Sequence, residues 1–169
     1  MTTLLLVRHG ETEDNVNQIM QGQTQGRLTE NGILQTQRLA EELATEHIDA
    51  FVSSDLKRSV DTCRILAAPH GKPVTETPLL RERDWGAFTG RYIPDLKGVP
   101  FPDDMESLDA LLQRAQRFID FINERFKGQT VLAVGHGIIN KAIQAQFFGK
   151  QMREVERMSN AEVRTLMIP

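Results

Sequence analysis

Arg8 and His9 stand where a short apolar run, Leu4 to Val7, gives way to polar sequence. Such a run with polar neighbours is typical of a strand that is buried on both faces of a parallel sheet. In open α/β folds, ligands bind at the carboxyl ends of the strands. A guanidinium and an imidazole at that edge suit an anionic ligand, and Gly10 allows the backbone to approach it closely. The sequence therefore predicts an anion-binding site at the end of the first strand.

A second strand, predicted over Ile48–Ser53, brings another arginine to the same edge. Ser54 or Asp55 can cap the helix that follows, and helical spacing continues from there up to a proline-glycine stop. This places Arg58 in the first turn of the helix, just past the carboxyl end of a strand. We therefore expect Arg58 to face the same site as the first arginine.

The strand predicted over Thr130–Val134 ends at Gly135-His136-Gly137, where a helix begins. The free backbone N–H groups of a helix N-terminus, together with its dipole, favour an anion. They would add to the hydrogen bond that His136 can donate.

The rest of the chain alternates between helices and strands. Apolar periodicity predicts one helix over Leu28–Thr45, capped by Thr29, and a long helix capped by Ser107 that ends at Gly128. The other predicted elements are a loop over Val16–Arg27, a strand over Pro73–Thr77, a helix that ends at about Phe148, and a strand over Glu162–Ile168. This order predicts a three-layer α/β/α sandwich with a mainly parallel central sheet, in one domain over residues 1–169.

One stretch, Pro78–Asp104, shows no regular pattern and is rich in proline and glycine. Long structureless connections are uncommon in a compact domain unless they are functional. We therefore expect a short lid insertion over about residues 83–105. Trp85 and Phe88 are expected to pack this lid against the core.

Four motifs follow one another along the chain. They are Arg8-His9-Gly10-Glu11-Thr12 with Asn15, then Ser53-Ser54-Asp55-Leu56-Lys57-Arg58, then Glu82 within LRERDWG, then Gly135-His136-Gly137. Together they resemble the histidine phosphatase superfamily, also called phosphoglycerate mutase-like. The matches are spread from Arg8 to His136 in the family's order, which chance does not explain.

The resemblance implies a catalytic role for five of these residues. His9 would be the nucleophile, phosphorylated on a ring nitrogen and then released by water. Arg8, Arg58 and His136 would bind the phosphoryl oxygens, and Glu82 would be general acid in the first step and general base in the second. Contacts with phosphate or substrate are implied for Asn15, Gln21, Gly22, Gln23 and Gly137.

Some of the matched residues also fit simpler structural roles. Glu82 has charged neighbours and fits a solvated surface loop equally well. Thr62, at a matching helix position, can bond a helix carbonyl instead. Glu106-Ser107, which matches a motif at the start of the long helix, can serve only as a cap.

The resemblance implies a metal-independent phosphatase that hydrolyses a small phosphomonoester through a phosphohistidine on His9. Two alternatives stay open: a phosphoglycerate mutase, and a catalytically weak relative that binds phosphorylated ligands or phosphoproteins. The family's mutases carry a larger insertion, because a mutase must keep its phosphoenzyme from water. The short lid therefore favours hydrolysis. Arg27 stands where the family has a proline, and it hints at a second anionic group on the substrate.

Composition and motif content argue against other classes. The net charge of −3 provides no basic field for nucleic acid or an anionic membrane, and no apolar run approaches the roughly 18 residues of a membrane span. The four histidines lack metal-ligand spacing, Cys63 is alone and no P-loop occurs, so we expect no metal and no cofactor. The chain opens directly into its first strand, with no room for a signal peptide, and a lone cysteine favours a reducing compartment. We therefore expect a cytoplasmic protein with a small phosphorylated substrate; the sequence indicates no oligomeric state.

Overall fold

The computed structural model describes residues 1–169 and is centred on one five-stranded sheet. The strands are β1 (Thr2–Arg8), β2 (Ala50–Ser54), β3 (Val74–Thr77), β4 (Thr130–Gly135) and β5 (Val163–Ile168). They lie in the order β3-β2-β4-β1-β5, in which β5 pairs antiparallel with β1 and every other pair is parallel. This arrangement confirms the predicted α/β fold with a mainly parallel sheet.

Helices cover both faces of the sheet. They are α1 (Glu13–Asn17), α2 (Glu30–Leu43), α3 (Lys57–Ala67), α4 (Leu108–Arg125) and α5 (Gly137–Phe148). Along β4, Val131 and Ala133 belong to the core formed with α4 and α5, whereas Leu132 and Val134 belong to the core formed with α2 and α3. Both faces of the strand are buried, which explains its continuous apolar sequence.

The predicted caps at Thr29 and Ser107 are confirmed. The Thr29 hydroxyl accepts from the Gly32 N–H at 2.9 Å, and the Ser107 hydroxyl accepts from the Ala110 N–H at 3.1 Å. Each side chain thereby satisfies a first-turn donor that has no partner within the helix.

The predicted cap of α3 is wrong. The residue before this helix is Leu56, which makes no side-chain cap, and the first-turn N–H of Lys57 donates instead to the Gln25 side-chain oxygen at 2.9 Å. Ser54 ends β2 with its hydroxyl 2.9 Å from the His136 ring, and the Asp55 carboxylate accepts two bonds of 2.7 Å from Arg81. Both candidate caps are therefore committed to other partners.

Helix α1 lies partly in a stretch that the sequence analysis predicted as a loop. The Thr12 hydroxyl accepts from the Asn15 N–H, and the Asn15 side-chain oxygen accepts from the Thr12 N–H, both at 3.1 Å. The helix has no buried residue, so it shows none of the apolar periodicity that marks the longer helices.

The carboxyl ends of three strands meet at one edge of the sheet. In β1 and β4, Arg8 pairs with Gly135, and in β2 and β4, Ser53 pairs with Val134. The residues that follow these strands are therefore brought together, as the sequence pattern predicted.

The irregular segment after β3 crosses this edge. Its regular structure consists of short 3₁₀ turns, and it joins the loop after α1 through backbone hydrogen bonds. The Gly90 N–H donates to the Met20 carbonyl at 2.7 Å, and the Met20 N–H donates to the Arg91 carbonyl at 2.9 Å. Phe88 is buried here, as predicted, and contacts Phe101.

Candidate active site

A cavity of about 160 Å³ lies at the carboxyl edge of the sheet. The predicted site residues that line it are Arg8, His9, Asn15, Gln21, Gly22, Arg58, Glu82 and Gly137. His136 and Gln23 are not among its lining residues. Trp85, which was expected to pack the lid against the core, lines the cavity instead, together with Ile93 of the lid.

The His9 ring has a defined orientation. Its Nδ1 lies 2.7 Å from the Gly10 carbonyl oxygen, and because a carbonyl only accepts, Nδ1 carries the hydrogen. The other ring nitrogen, Nε2, therefore holds the lone pair. The backbone carbonyl of His9 is fixed as well, since the Asn160 side chain donates to it at 3.1 Å.

The imidazole of His9 is neutral at ordinary pH. Burial and the neighbouring Arg58 and Arg8 guanidinium groups hold its pKa well below the usual range, because each disfavours the imidazolium. Its Nε2 is consequently available for nucleophilic attack without prior removal of a proton.

The two predicted arginines are buried and fixed by backbone carbonyls. Arg8 Nη1 donates to the Met158 carbonyl at 2.8 Å, and Arg58 donates to the carbonyls of Gly22, at 2.8 Å, and Thr24. Burial lowers the pKa of each guanidinium to about 10, so both remain charged at neutral pH. The Nε of each arginine has no hydrogen-bond partner in the protein. Buried cationic donors without an acid partner are suited to a phosphoryl group.

His136 lies directly beside His9, with the two ring centroids 5.1 Å apart. Its Nε2 contacts the hydroxyls of Ser54, at 2.9 Å, and Ser59, at 3.1 Å, whereas its Nδ1 is buried without a partner. Burial and Arg58 hold its pKa well below the usual range. If either serine donates to Nε2, Nδ1 carries the hydrogen and becomes a donor.

Glu82 is buried against the first turn of α5, with 8% of its surface exposed. Oε1 accepts from the N–H groups of Arg83, at 2.9 Å, and Ile139, at 3.0 Å; Oε2 accepts from Ile138 at 3.0 Å. The interpretation as a solvated loop residue is therefore wrong. The first-turn N–H groups of Ile138 and Ile139, which were expected to assist His136, donate instead to this carboxylate. The Gly137 N–H does not donate to it.

A buried ion pair fixes the backbone that carries Glu82. Arg114 donates to both Glu106 carboxylate oxygens, at 2.8 and 3.0 Å, and to the Arg81 carbonyl at 2.6 Å. The Glu106 carboxylate thus pairs with Arg114, in addition to preceding the helix cap at Ser107. No role was predicted for Arg114, although an arginine between Leu111 and Ala115 on the apolar stripe of α4 was a usable signal.

The other matched loop residues mainly hold the walls in place. Gln21 Oε1 accepts from the Thr12 hydroxyl at 2.9 Å, the Gly22 carbonyl accepts from Arg58, and the Gln23 amide donates to the Glu82 carbonyl at 3.2 Å. Asn15 accepts from the Asn160 side chain at 3.2 Å. These contacts connect the two sides of the cavity.

Thr62 and Gly10 meet at the end of β1. The Thr62 hydroxyl donates to the Arg58 carbonyl at 2.8 Å, as the structural alternative predicted, and also accepts from the Gly10 N–H at 3.2 Å. A Cβ on Gly10 would lie 2.6 Å from the Gly32 carbonyl oxygen of α2. The glycine therefore allows close packing of α2, and it does not line the cavity.

Arg157 is a wall residue that the sequence analysis missed, since its polar loop gave no motif. It lines the cavity beside Arg8 and Gly137. Arg27, which hinted at a second anion, lies elsewhere: it is exposed, lies 3.8 Å from Glu13 and lines a separate surface groove with Lys57. That hint is not supported at Arg27.

A family model described as "Histidine phosphatase superfamily (branch 1)" matches residues 4–168. The chain belongs to this superfamily. It is 33% identical to the metal-independent phosphoserine phosphatase of Arabidopsis thaliana, covering 96% of this chain and 75% of the relative. It is also 33% identical to the probable phosphoglycerate mutase GpmB of Yersinia pestis, covering 82% and 71%. The resemblance that the four motifs indicated is thereby confirmed.

A solved phosphatase structure shares the fold closely. The mycobacterial glucosyl-3-phosphoglycerate phosphatase, determined with VO3, has a TM-score of 0.88 and 27% identity, over 98% of this chain and 92% of that one. The match therefore extends over the sheet, the helices and the lid of this histidine phosphatase superfamily member.

Other candidate chemistries find little support in the side chains. The Cys63 thiol is buried, and burial raises its pKa, which disfavours a thiolate nucleophile. No three His, Cys, Asp or Glu side chains are grouped so that they could hold a metal ion. None of the helices has the length and apolar character to cross a membrane.

Proposed function

We propose that the protein is a metal-independent phosphatase that hydrolyses a small phosphomonoester through a phosphohistidine on His9. The observation that carries the proposal is the state of that ring: Nδ1–H is held by the Gly10 carbonyl, and the neutral imidazole keeps a lone pair on Nε2. Arg8 and Arg58, with their unpartnered Nε atoms, flank this nucleophile.

In the first step, Nε2 attacks phosphorus and forms an N–P bond while the ester P–O bond breaks. The arginines neutralise the phosphoryl oxygens, as they do in phosphoryl transfer generally. The leaving oxygen takes a proton from Glu82, whose Oε2 accepts one backbone N–H whereas Oε1 accepts two. Oε2 is the less occupied oxygen and is therefore the better placed of the two to transfer this proton.

In the second step, water attacks phosphorus and the N–P bond breaks. The Glu82 carboxylate accepts a proton from that water, which restores the acid and releases inorganic phosphate. His9 returns to its neutral form with the same Nδ1–H bond. The cycle needs no group beyond those that line the cavity or contact them.

The substrate is a small phosphorylated molecule. The cavity volume of about 160 Å³ fits a phosphoryl group with a short substituent. The relatives support the same substrate class, since phosphoserine and phosphoglycerate are both small phosphorylated acids.

The direct test is phosphate release from an aryl phosphomonoester, with a metal chelator present, by the wild type and by His9→Ala. We expect activity that survives chelation and is lost in the variant. Rapid quenching in alkali, where phosphohistidine is stable, should trap phosphoprotein in the wild type alone. Activity retained by His9→Ala would contradict the mechanism.

Phosphoglycerate mutase activity is the second candidate, because a probable mutase is among the relatives and Trp85 and Ile93 of the lid line the cavity. Incubation with 3-phosphoglycerate separates the two reactions by phosphorus NMR. Release of inorganic phosphate supports the phosphatase, and isomerisation without release supports the mutase. Tight binding without either reaction would indicate a phospho-ligand-binding protein.

A further inference from the structure

Three arginines line the candidate active site, and Arg157 differs from the other two. Arg8 and Arg58 are buried and donate to backbone carbonyls. Arg157 is exposed and forms no ion pair with any acid of the protein. Its guanidinium therefore keeps all its donors for a ligand.

The backbone that carries Arg157 is nevertheless fixed on both sides. The preceding carbonyl, of Glu156, accepts from Arg164 at 2.7 Å, and the following one, of Met158, accepts from Arg8 at 2.8 Å. The Met158 side chain is 2% exposed. A cationic side chain without a partner, carried by a fixed stretch of backbone, is a pre-positioned binding group.

Arg157 lies next to the phosphate-binding arginine. A Cβ on Gly137 would lie 3.3 Å from Arg157 Nε and 3.5 Å from Arg8 Cζ, so both guanidinium groups approach the same point. Arg157 also lines a more open cavity of about 490 Å³, which shares Arg8 and Asn15 with the inner one. It therefore stands where a bound substrate extends from the phosphoryl group towards solvent.

Arg157 forms no ion pair at this point, although Glu82 and Glu162 both act on the neighbouring Arg8. A phosphomonoester dianion bound between Arg8 and Arg58 would leave the donors of Arg157 without a partner. Repulsion between the neighbouring guanidinium groups contributes to the lowered pKa of Arg8. Asp14 lines the outer cavity but does not pair with Arg157.

We propose that Arg157 binds a carboxylate on the leaving group of the substrate, so that the preferred substrates are phosphomonoesters of short hydroxy acids. The planar guanidinium matches a carboxylate through two parallel hydrogen bonds. The proposal rests on the proposed phosphatase activity, and it assigns to Arg157 the second-anion role that the sequence suggested for Arg27.

The sharpest test compares two ligands that differ only in the proposed group. In 3-phosphoglycerate a carboxylate stands where glycerol 3-phosphate has a hydroxymethyl group. Calorimetry on the His9→Ala variant measures their dissociation constants without turnover. Adding Arg157→Gln to this variant should raise the dissociation constant of 3-phosphoglycerate about ten- to hundredfold, as expected for the loss of a charged hydrogen-bonded pair. The dissociation constant of glycerol 3-phosphate should rise less than about threefold.

Two further variants make the comparison specific. Arg157→Lys, which keeps the charge, should restore part of the preference for the carboxylate. Arg153→Gln removes an exposed arginine from the same loop, outside both cavities, and should change neither dissociation constant. An unchanged ratio of the two dissociation constants in Arg157→Gln would overturn the proposal. So would the absence of binding of either ligand before Arg157 is changed.

Turnover separates the two proposals. In the otherwise unmodified protein, Arg157→Gln should lower kcat/KM for 3-phosphoglycerate, mainly through KM, and leave that for glycerol 3-phosphate nearly unchanged. If the wild type hydrolyses no phosphomonoester but the binding preference depends on Arg157, the phosphatase proposal fails and the carboxylate site stands. If hydrolysis occurs with no dependence on Arg157, the reverse holds.

Discussion

The two sides of the site are held in place by different means. On the side of the proposed nucleophile, called the nucleophile side, Arg8 ends β1, His9 follows it and His136 follows β4. The register of these two paired strands therefore sets their positions. On the side of the proposed acid, called the acid side, Glu82 lies in a segment without strand or long helix. Its position depends on side-chain contacts from α4 and on the first turn of α5.

This difference predicts how substitutions should affect each side of the site. The nucleophile side is supported by the backbone of the sheet, so changes there act through the chemistry of the substituted side chain. The acid side is supported by a few polar contacts, so a substitution away from the cavity can displace the acid. The substitutions below separate these two kinds of effect.

The largest effect is expected at Arg58. Arg58→Lys keeps a positive charge but removes the planar fork that spans the carbonyls of Gly22 and Thr24. We expect kcat/KM for an aryl phosphomonoester to fall on the order of 10²- to 10³-fold, because the cation that should stabilise the transferring phosphoryl group is misplaced. Arg64→Lys, an exposed arginine on the same helix, is the matched control. Near-normal activity of Arg58→Lys would show that charge alone suffices.

The next effect tests the acid side through Glu106, which does not line the cavity. Glu106→Gln weakens the bidentate pair with Arg114, and Arg114 also holds the Arg81 carbonyl beside Glu82. We expect a loss of about 1–3 kcal/mol in the free energy of unfolding. We also expect kcat for an alkyl phosphomonoester to fall about ten- to hundredfold, with KM little changed.

The leaving group shows whether Glu106 acts through the acid. Nitrophenolate departs without a proton, so Glu106→Gln should reduce the rate with nitrophenyl phosphate less than the rate with an alkyl phosphate. Glu124→Gln, on the exposed side of the same helix, should affect neither substrate. Equal losses with both substrates would mean that Glu106 supports the whole site and has no particular effect on Glu82.

The same contrast explains what the sequence could predict. The predicted side chains lie at or shortly after the carboxyl ends of apolar strands: Arg8, His9, Arg58 and His136. The parallel sheet brings such ends together, so position along the chain implied proximity. Arg114 and Arg157 reach the site from the middle of a helix and from a polar loop. Their roles depend on long-range packing that no local pattern encodes. The cap of α3 failed for a similar reason, because Ser54 is used by a histidine 82 residues away.

Near neutral pH, the two buried histidines of the nucleophile side should dominate the pH dependence of stability. His9 and His136 have lowered pKa values in the folded protein, whereas the unfolded chain titrates near the ordinary value of about 6.5. As the pH falls below that value, the unfolded chain binds protons that the folded protein does not. Each histidine should therefore lower the free energy of unfolding by up to about 1.4 kcal/mol per pH unit.

Denaturant unfolding between about pH 5 and pH 7 measures this slope. His9→Gln removes one of the two contributions, so its curve should be flatter than that of the wild type on the acidic side. Inorganic phosphate should reduce the loss of folding stability at acidic pH, because an anion between the arginines favours protonation of the His9 and His136 rings. Curves that stay parallel would show that His9 does not resist protonation in the folded state.

The smallest effect is expected at Thr62, which supports the nucleophile side without touching the cavity. Thr62→Val removes the hydroxyl that accepts from the Gly10 N–H and donates to the Arg58 carbonyl. We expect a loss of about 1–3 kcal/mol in the free energy of unfolding, because a buried N–H loses its partner, but less than about a tenfold loss in kcat/KM. His9 and Arg58 keep their own contacts, and the register of β1 with β4 is unchanged. Thr62→Ser retains the hydroxyl and should restore most of both quantities. If Thr62→Val instead lowers activity as much as Glu106→Gln, the nucleophile side depends on single polar contacts as the acid side does.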